Sequence, residues 1–326
     1  MARGATGRRR FLGTLAAALT LTLTVAGCSQ GEGDQASSPS SATNEGTRTV
    51  TDVTGQTVQV PTKPQRVIAL SERDLDAALA LGVEPVGALN GRGQDTLPRY
   101  LGTRVEGITA VGTLNSPSID KVVELGPDLI LAGGVTDEQL LGQLRKIAPT
   151  VVTHTSEDDW KTALQRQADV LGVPDGAATV LADYDKAVQE VKAALGENTT
   201  AEVSIVRWNP KGPAYMKSTS FSSQVIGDLG LRRPASQQEA GVGHSEPLSL
   251  ENLGLLDADW IFVGTLAAGG EAVDAMEQAR NTPAFQALNA VRNNRLVSVD
   301  GSMWTSTGGP LAALAVLEDV RRAMAG

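Results

Sequence analysis

The segment SIDKVVELGPDLIL, Ser118 to Leu131, returns without a gap as SLENLGLLDADWIF, Ser249 to Phe262. At this constant offset of 131 residues Ser118 meets Ser249, Leu125 meets Leu256, Asp128 meets Asp259 and Ile130 meets Ile261, while Asp120 stands opposite Glu251. Each copy reads as a short helix capped by serine, with an acid in its first turn, and then a buried strand. Two such units so far apart imply two similar lobes, each owning one copy. An acid near a helix N-terminus is stabilising by roughly 0.3–1 kcal/mol on its own, so either carboxylate can be explained singly. Their equivalent placement in two lobes is what points to a shared outward task.

Around the two copies the pattern is strand, then helix. TVTDVTGQTVQV, from Thr49, alternates about Gly55 as a hairpin does; RVIAL reads as a buried strand and DLDAALALGV as a helix ending at Gly82. EPVGAL, GITAVG, DLILAGG and TVVTH follow as strands, with helical stretches from Thr136 to Ile147 and from Asp158 to Leu171. The longest unbroken helical pattern, Asp175 to Leu195, would be roughly 30 Å long. Beyond it EVSIVRW, ADWIFVG and RLVSVD read as strands and Pro310 to about Met324 as a closing helix. The expected fold is α/β: two Rossmann-like lobes with mainly parallel sheets, joined by one long spanning helix, with a ligand cleft between the lobes. In residues, the expectation is a leader over 1–27, a tether over 28–48, a first lobe over 49–172, the interlobe helix over 173–197 and a second lobe over 198–326.

Ahead of the lobes, Arg3, Arg8, Arg9 and Arg10 precede FLGTLAAALTLTLTVAG and then the only cysteine, Cys28. A membrane span needs roughly 20 strongly apolar residues. This run is shorter and rich in threonine, so it reads as an export signal that is cleaved. VAGC, Val25 to Cys28, resembles the lipobox of bacterial lipoproteins, which implies lipidation of Cys28. The alternative is a leader cysteine without lipid; a disulfide has no second cysteine to use. RRRFL, Arg8 to Leu12, also resembles a twin-arginine signal. The polar stretch SQGEGDQASSPSSATNEGT has nothing to bury and reads as a tether with a reach of some 25 Å. The expected location is the extracytoplasmic face of the cell membrane, held by a lipid anchor. Once the leader's four arginines are set aside, 24 basic side chains face 37 acidic ones, a formal charge of −13 that argues against nucleic acid as a partner.

From Thr49 to Gly326 the order of segments resembles the substrate-binding proteins of bacterial ABC importers, in the rigid-helix class that serves ferric siderophores, haem and vitamin B12. The segments that carry the likeness are DVTGQTVQVPTKPQRVIAL, LDAALALGVEPVG, PSIDKVVELGPDLIL, the spanning helix, GDLGLRRP at Gly227 to Pro234, and Trp304 with GGPLAALAVLEDV. The resemblance implies a solute-binding protein, not an enzyme. Such a protein captures a ferric siderophore and delivers it to a two-subunit ABC permease driven by a cytosolic ATPase. It implies no cofactor, with iron present only inside the bound chelate, and vitamin B12 or haem as the alternative cargo. It further implies that Asp120 and Glu251 dock on arginine pockets of the two permease subunits. The family's first-lobe residue is usually Glu, so Asp120 reaches one methylene less far. A monomer is expected, although nothing in the sequence addresses oligomeric state.

Ligands in open α/β sheets gather beyond the carboxyl ends of the strands. That rule places Ser71, Arg73, Arg92 and Asn115 at the cleft from the first lobe, and Arg207, Trp208, Tyr215 and Trp304 from the second; Trp160 and Trp260 read as core. Arg207 matches a strand end where the family often has arginine. A guanidinium donating to the oxygens around iron, with indole faces over an apolar scaffold, suits a hydroxamate such as a ferrioxamine or ferrichrome. A tricatecholate, with about three negative charges, would suit a denser basic cluster. The bland alternative makes Arg207 a surface strand-end residue beside a half-buried Trp208, with Arg73 and Arg92 solvated. His154 and His244 are too few for direct zinc or manganese binding, though His154 ends a strand and could line the cleft. GHSEP, Gly243 to Pro247, imitates a nucleophile elbow but has proline where the second glycine belongs. A secreted hydrolase is therefore a distant alternative with no catalytic constellation.

Overall fold

The computed structural model describes residues 46–326, so the leader, Cys28 and most of the tether lie outside the described residues. Thr47 and Arg48, read from the sequence as the end of the tether, already belong to a hairpin. In it β1 (Thr47–Thr51) pairs antiparallel with β2 (Thr57–Pro61), Thr47 opposite Pro61 and Arg48 opposite Val60. Asp52 Oδ1 accepts the N–H groups of Thr54 and Gln56 at 2.9 and 3.0 Å, which fixes the turn and leaves Gly55 at φ 85°, a conformation that suits glycine.

The first lobe runs β3 (Val67–Ala69), α1 (Glu72–Ala80), β4 (Gly87–Ala88), a 3₁₀ segment (Arg99–Val105), β5 (Thr109–Ala110), a small ribbon of β6 (Gly112–Thr113) and β7 (Ser116–Pro117), α2 (Ile119–Glu124), β8 (Leu129–Leu131), α3 (Glu138–Leu144), β9 (Thr150–Val151) and α4 (Trp160–Val170). Its sheet is parallel in the order β5-β4-β3-β8-β9. Every residue of β3 and β8 is buried, as strands covered on both faces have to be.

The spanning helix α5 (Pro174–Ala194) starts with proline at its first position, where the missing N–H costs nothing, and is followed by Gly196 at φ 54°. The second lobe follows as β10 (Val203–Asn209), β11 (Gly212–Tyr215), α6 (Phe221–Asp228), a 3₁₀ segment (Leu250–Leu256), β12 (Trp260–Gly264), α7 (Glu271–Arg280), α8 (Pro283–Gln286), α9 (Asn289–Arg292), β13 (Leu296–Ser298), α10 (Gly301–Trp304) and α11 (Pro310–Met324). Its sheet has the order β11-β10-β12-β13, parallel except for the antiparallel edge strand β11. Trp208 and Tyr215, expected in loops at the cleft, lie instead in the hairpin of β10 and β11.

Both copies of the repeated segment end in a strand that lies beside the first strand of its own lobe, β8 against β3 and β12 against β10. The matched aspartates fasten that pairing. Asp128 accepts the N–H groups of Gln65 and Arg66 at 2.7 and 2.9 Å, and Asp259 accepts that of Glu202 at 2.9 Å. The helical halves differ. Ser118 Oγ accepts the Lys121 N–H of an α-helix, whereas Ser249 sits at the start of the 3₁₀ segment and its side chain makes no capping bond.

The lobes are bound to each other as well as to α5. Trp160 of α4 meets Tyr184 of α5 edge-on, with ring centroids 4.8 Å apart. The Tyr184 hydroxyl donates to Asp228 of α6, which also pairs with Lys161 at 2.9 Å. On the cleft side α1 reaches into the second lobe. The buried Asp76 accepts the Leu311 and Ala312 N–H groups at 2.8 and 2.9 Å, capping α11, and also takes the Tyr100 hydroxyl at 2.8 Å. Arg73 donates to the Gly308 carbonyl, and Arg99 Nε donates to Asp300 at 2.9 Å. Segment 300–312 of the second lobe is thus held by the first.

Candidate ligand-binding cleft

The carboxyl ends of β3, β4, β8 and β9 open onto a cavity closed on its far side by Ser306 and Thr307 of the second lobe. Two adjoining cavities share Arg92, Ser306 and Thr307 with it, so the three are compartments of one cleft between the lobes. From the first lobe Ser71, Glu72, Asn90, Gly133 and His154 line the main compartment. Arg207, Gly243 and His244 line the second-lobe side.

A buried carboxylate holds the first-lobe loops. Asp74 accepts the Ser71 hydroxyl at 2.8 Å, the Gly133 N–H at 2.8 Å, the Thr153 hydroxyl at 2.5 Å and the Gln167 amide at 2.7 Å, joining the ends of three strands and α4. His154 packs against this group with Nδ1 3.7 Å from Asp74. Burial outweighs the pull of that carboxylate and pushes the imidazole down to about 4, so it is neutral at pH 7. Gly133 is required here because a Cβ would fall 2.1 Å from the His154 ring.

On the opposite wall Arg207 is 6% exposed and its Nε donates to Thr305 Oγ1 at 3.1 Å. Burial, aided by repulsion from Arg92, lowers the guanidinium to about 10, which leaves it cationic at neutral pH. Glu72 is half-buried between the walls. Its Oε1 accepts the Arg92 N–H at 2.7 Å and its Oε2 accepts the hydroxyl of Ser306. Burial raises this carboxyl, while the Ser306 and Arg92 bonds and the charges of Arg92 and Arg207 oppose the rise. The cleft carries Arg73, Arg92 and Arg207 on its walls, with the carboxyls of Glu72 and Asp158 among them and Leu89 and Leu114 as apolar lining. Among the described residues no three His, Cys, Asp or Glu side chains converge as a metal-sized cluster.

The family model for the periplasmic binding protein matches residues 67–302, which contain both sheets and nearly all of this cleft. The chain belongs to the periplasmic binding protein family. It is 30% identical over 319 residues to the probable siderophore-binding lipoprotein YfiY of Bacillus subtilis, covering 96% of this chain and 97% of that one. It is also 30% identical over 302 residues to the iron(3+)-hydroxamate-binding protein FhuD of the same organism, covering 89% and 90%. Among solved structures, Staphylococcus aureus SirA complexed with staphyloferrin B superposes with a TM-score of 0.74 at 26% identity, over 85% of this chain and 98% of SirA.

Within this periplasmic binding protein, Ser71, Arg73, Arg92 and Arg207 do line the cleft compartments. Arg73 is spoken for, since it donates to Gly308 and Asp158 carbonyls from a buried position. Asn115 lines an adjoining cavity along the loop from Asn90 to Asp95, which shares Asn90, Arg92 and Leu114 with the main compartment. Trp208 and Trp304 are corrections. β10 continues through Asn209, and side chains alternate along a strand, so Arg207 and Trp208 cannot both face the cleft. Trp208 turns to the other side, into the cluster of Val206, Leu253, Ile261 and Phe285, and Tyr215 packs on the same cluster from β11. Trp304 is fully buried, stacked on Phe262 at 4.6 Å with Nε1 donating to Asp319. Trp160 and Trp260 are core, as read. Glu72, Ser306 and Thr307, which the sequence does not single out, also line the cleft, the first beside Ser71 and the others just after Trp304. Asp120 and Glu251 lie on exposed surface. Among the described residues no helix is long and apolar enough to cross a membrane.

Proposed function

We propose that this chain is a lipid-anchored solute-binding protein that captures a ferric siderophore outside the cytoplasm and passes it to an ABC permease for iron uptake, without catalysing a reaction. The observation that carries the reading is the cleft itself, a chamber between two sheets whose wall holds Arg207 buried yet cationic. Oxygen donors around iron are its natural guests, and the hydroxamate class remains the first candidate because a guanidinium can donate to those oxygens. The apolar covering expected of Trp208 and Trp304 is not part of this proposal. Iron enters only within the chelate, and the protein has no cofactor of its own. Cys28 is the lipidation site, and the protein acts as a monomer.

Docking is assigned to the repeated segment. Asp120 and Glu251 are exposed, and three exposed apolar side chains stand beside them: Val123 in the first copy, Leu250 and Leu255 in the second. A carboxylate with apolar neighbours on each lobe suits two basic pockets on a two-subunit permease coupled to a cytosolic ATPase.

Isothermal titration of the protein with ferrioxamine B, ferrichrome, a ferric tricatecholate, haem and cobalamin tests the cargo. Saturable sub-micromolar binding of a hydroxamate, lost in Arg207→Ala, is the expected result. Binding of haem or cobalamin alone replaces the siderophore with that cargo.

A further inference from the structure

The charges lining the cleft point beyond a generic siderophore, and their role rests on the reading that the cleft is the ligand site. Among the described residues neither Arg92 nor Arg207 is ion-paired with a carboxylate. The carboxylate that lines the main compartment is Glu72, at the first position of α1, and it acts on Arg207 through space rather than by contact. Its two oxygens are held from opposite lobes, one by the Arg92 N–H and the other by the Ser306 hydroxyl. We infer that Glu72 is a built-in counter-ion for the cleft arginines, and that an anionic oxygen-donor chelate seated on Arg92 and Arg207 binds together with one proton taken up by the Glu72 carboxyl.

The physical reason is competition for the same two cations. In the empty cleft their charges favour ionised Glu72. A ligand anion on the arginines screens that support and adds a like charge beside the carboxylate, and burial already disfavours the ionised form. A proton from solvent then moves onto one Glu72 oxygen, which turns it from an acceptor into a donor toward a ligand oxygen. No bond other than this O–H forms.

Other titratable or charged groups surround the site. Arg73, Asp74 and Asp76 share the helix of Glu72; Tyr100, Arg99 and Asp300 lie beyond it; His154 and Asp158 stand on the first-lobe wall, and His244 stands on the second-lobe wall beside Arg207. His154, held down to about 4, stays neutral near pH 6–7. Asp76, raised by burial to about 6, titrates in the same range, but it is sealed onto Leu311, Ala312 and Tyr100 and does not line the cleft.

Two measurements test the inference. The first needs no ligand: carbon-13 NMR of the Glu72 carboxyl, assigned with Glu72→Gln, in wild type and in the exposed-loop variant Arg92→Gln. The Glu72 titration is expected to move to higher pH when Arg92 is neutralised, and an unmoved titration overturns the counter-ion role. The second counts protons with an indicator dye on mixing ferric citrate or ferrioxamine B with wild type and Glu72→Gln. With ferric citrate, wild type is expected to take up as much as one proton more than the variant. Its affinity should tighten by up to about tenfold per pH unit of acidification relative to the variant. Equal proton counts, or binding of ferrioxamine B with none of ferric citrate, overturn the proton-linked anionic ligand. Failure of every chelate to bind sinks the siderophore reading instead, while the NMR result still decides whether Glu72 answers to the arginines.

Discussion

The two lobes share one helix-and-strand unit but keep different parts of it. The strand half is the same in both: buried, beside the lobe's first strand, and fastened by an aspartate to the N–H groups that lead into that strand. The helical half is an α-helix with a serine cap in the first lobe and an uncapped 3₁₀ segment in the second, with Leu250 and Leu255 exposed there. Sheet packing therefore demands the strand and tolerates variation in the helix. What the helical halves retain in common, an exposed carboxylate at Asp120 and Glu251, is not explained by packing.

The largest expected effect comes from that contrast. Glu251→Arg is expected to abolish radioiron uptake in cells while leaving chelate affinity unchanged, and Asp120→Arg to impair uptake less, because the shorter side chain reaches less far. If either change weakens binding of the chelate as well, the helical halves belong to the ligand site and the division between packing and docking breaks.

Next in size come the second lobe's tryptophans. Trp304→Ala removes a fully buried ring stacked on Phe262 and is expected to cost about 3–5 kcal/mol in urea unfolding. Trp208→Ala should cost a similar amount through its own cluster. In both variants the folded fraction keeps its chelate affinity. A fall in affinity without loss of stability would return these side chains to the cleft.

The lobes also differ in what they give each other. Helix α1 of the first lobe supplies the buried carboxyl of Asp76, and the second lobe supplies the backbone donors of α11. Burial raises this carboxyl from 3.8 to about 6, against the hydrogen bonds that lower it. A raised acid binds its proton more tightly when folded, so its contribution is fully present below about pH 3.8 and is lost as pH rises through about 6. The shift corresponds to about 3 kcal/mol. The stability of wild type relative to Asp76→Asn should fall by that amount between about pH 4 and pH 7. A difference that does not change with pH contradicts the assignment.

The sheets were legible because their strands are buried on both faces and read as short apolar runs, RVIAL and DLIL among them. The spanning helix and α11 were legible by length and by the prolines that start them. The site was legible only as a set of loops. Whether a residue in such a loop faces the cleft depends on where a strand stops, and β10 stops two residues beyond Arg207, which reverses Trp208. Contacts such as Glu72 with Ser306, or Asp76 with Leu311, join residues more than 230 apart and leave no local pattern. Glu72 carries no signal of its own because an acid at a helix start already has a sufficient local reason.

The smallest effect tests the repeat at its most similar point. Asp128→Ala frees two backbone N–H groups, whereas Asp259→Ala frees one. The first lobe adds a tie from the residue just ahead of β3: Arg66 Nε donates to the Leu125 and Gly126 carbonyls at 3.0 Å, whereas in the second copy the Leu255 carbonyl accepts from Ser236 and Gln237 instead. Both aspartates are half-exposed, so water replaces part of each lost bond. The expected costs are about 2 kcal/mol for Asp128→Ala and about 1 kcal/mol for Asp259→Ala. Equal costs would mean that the second lobe fastens its strand by something other than the shared aspartate, and that the matching letters at this position do not mark matching work.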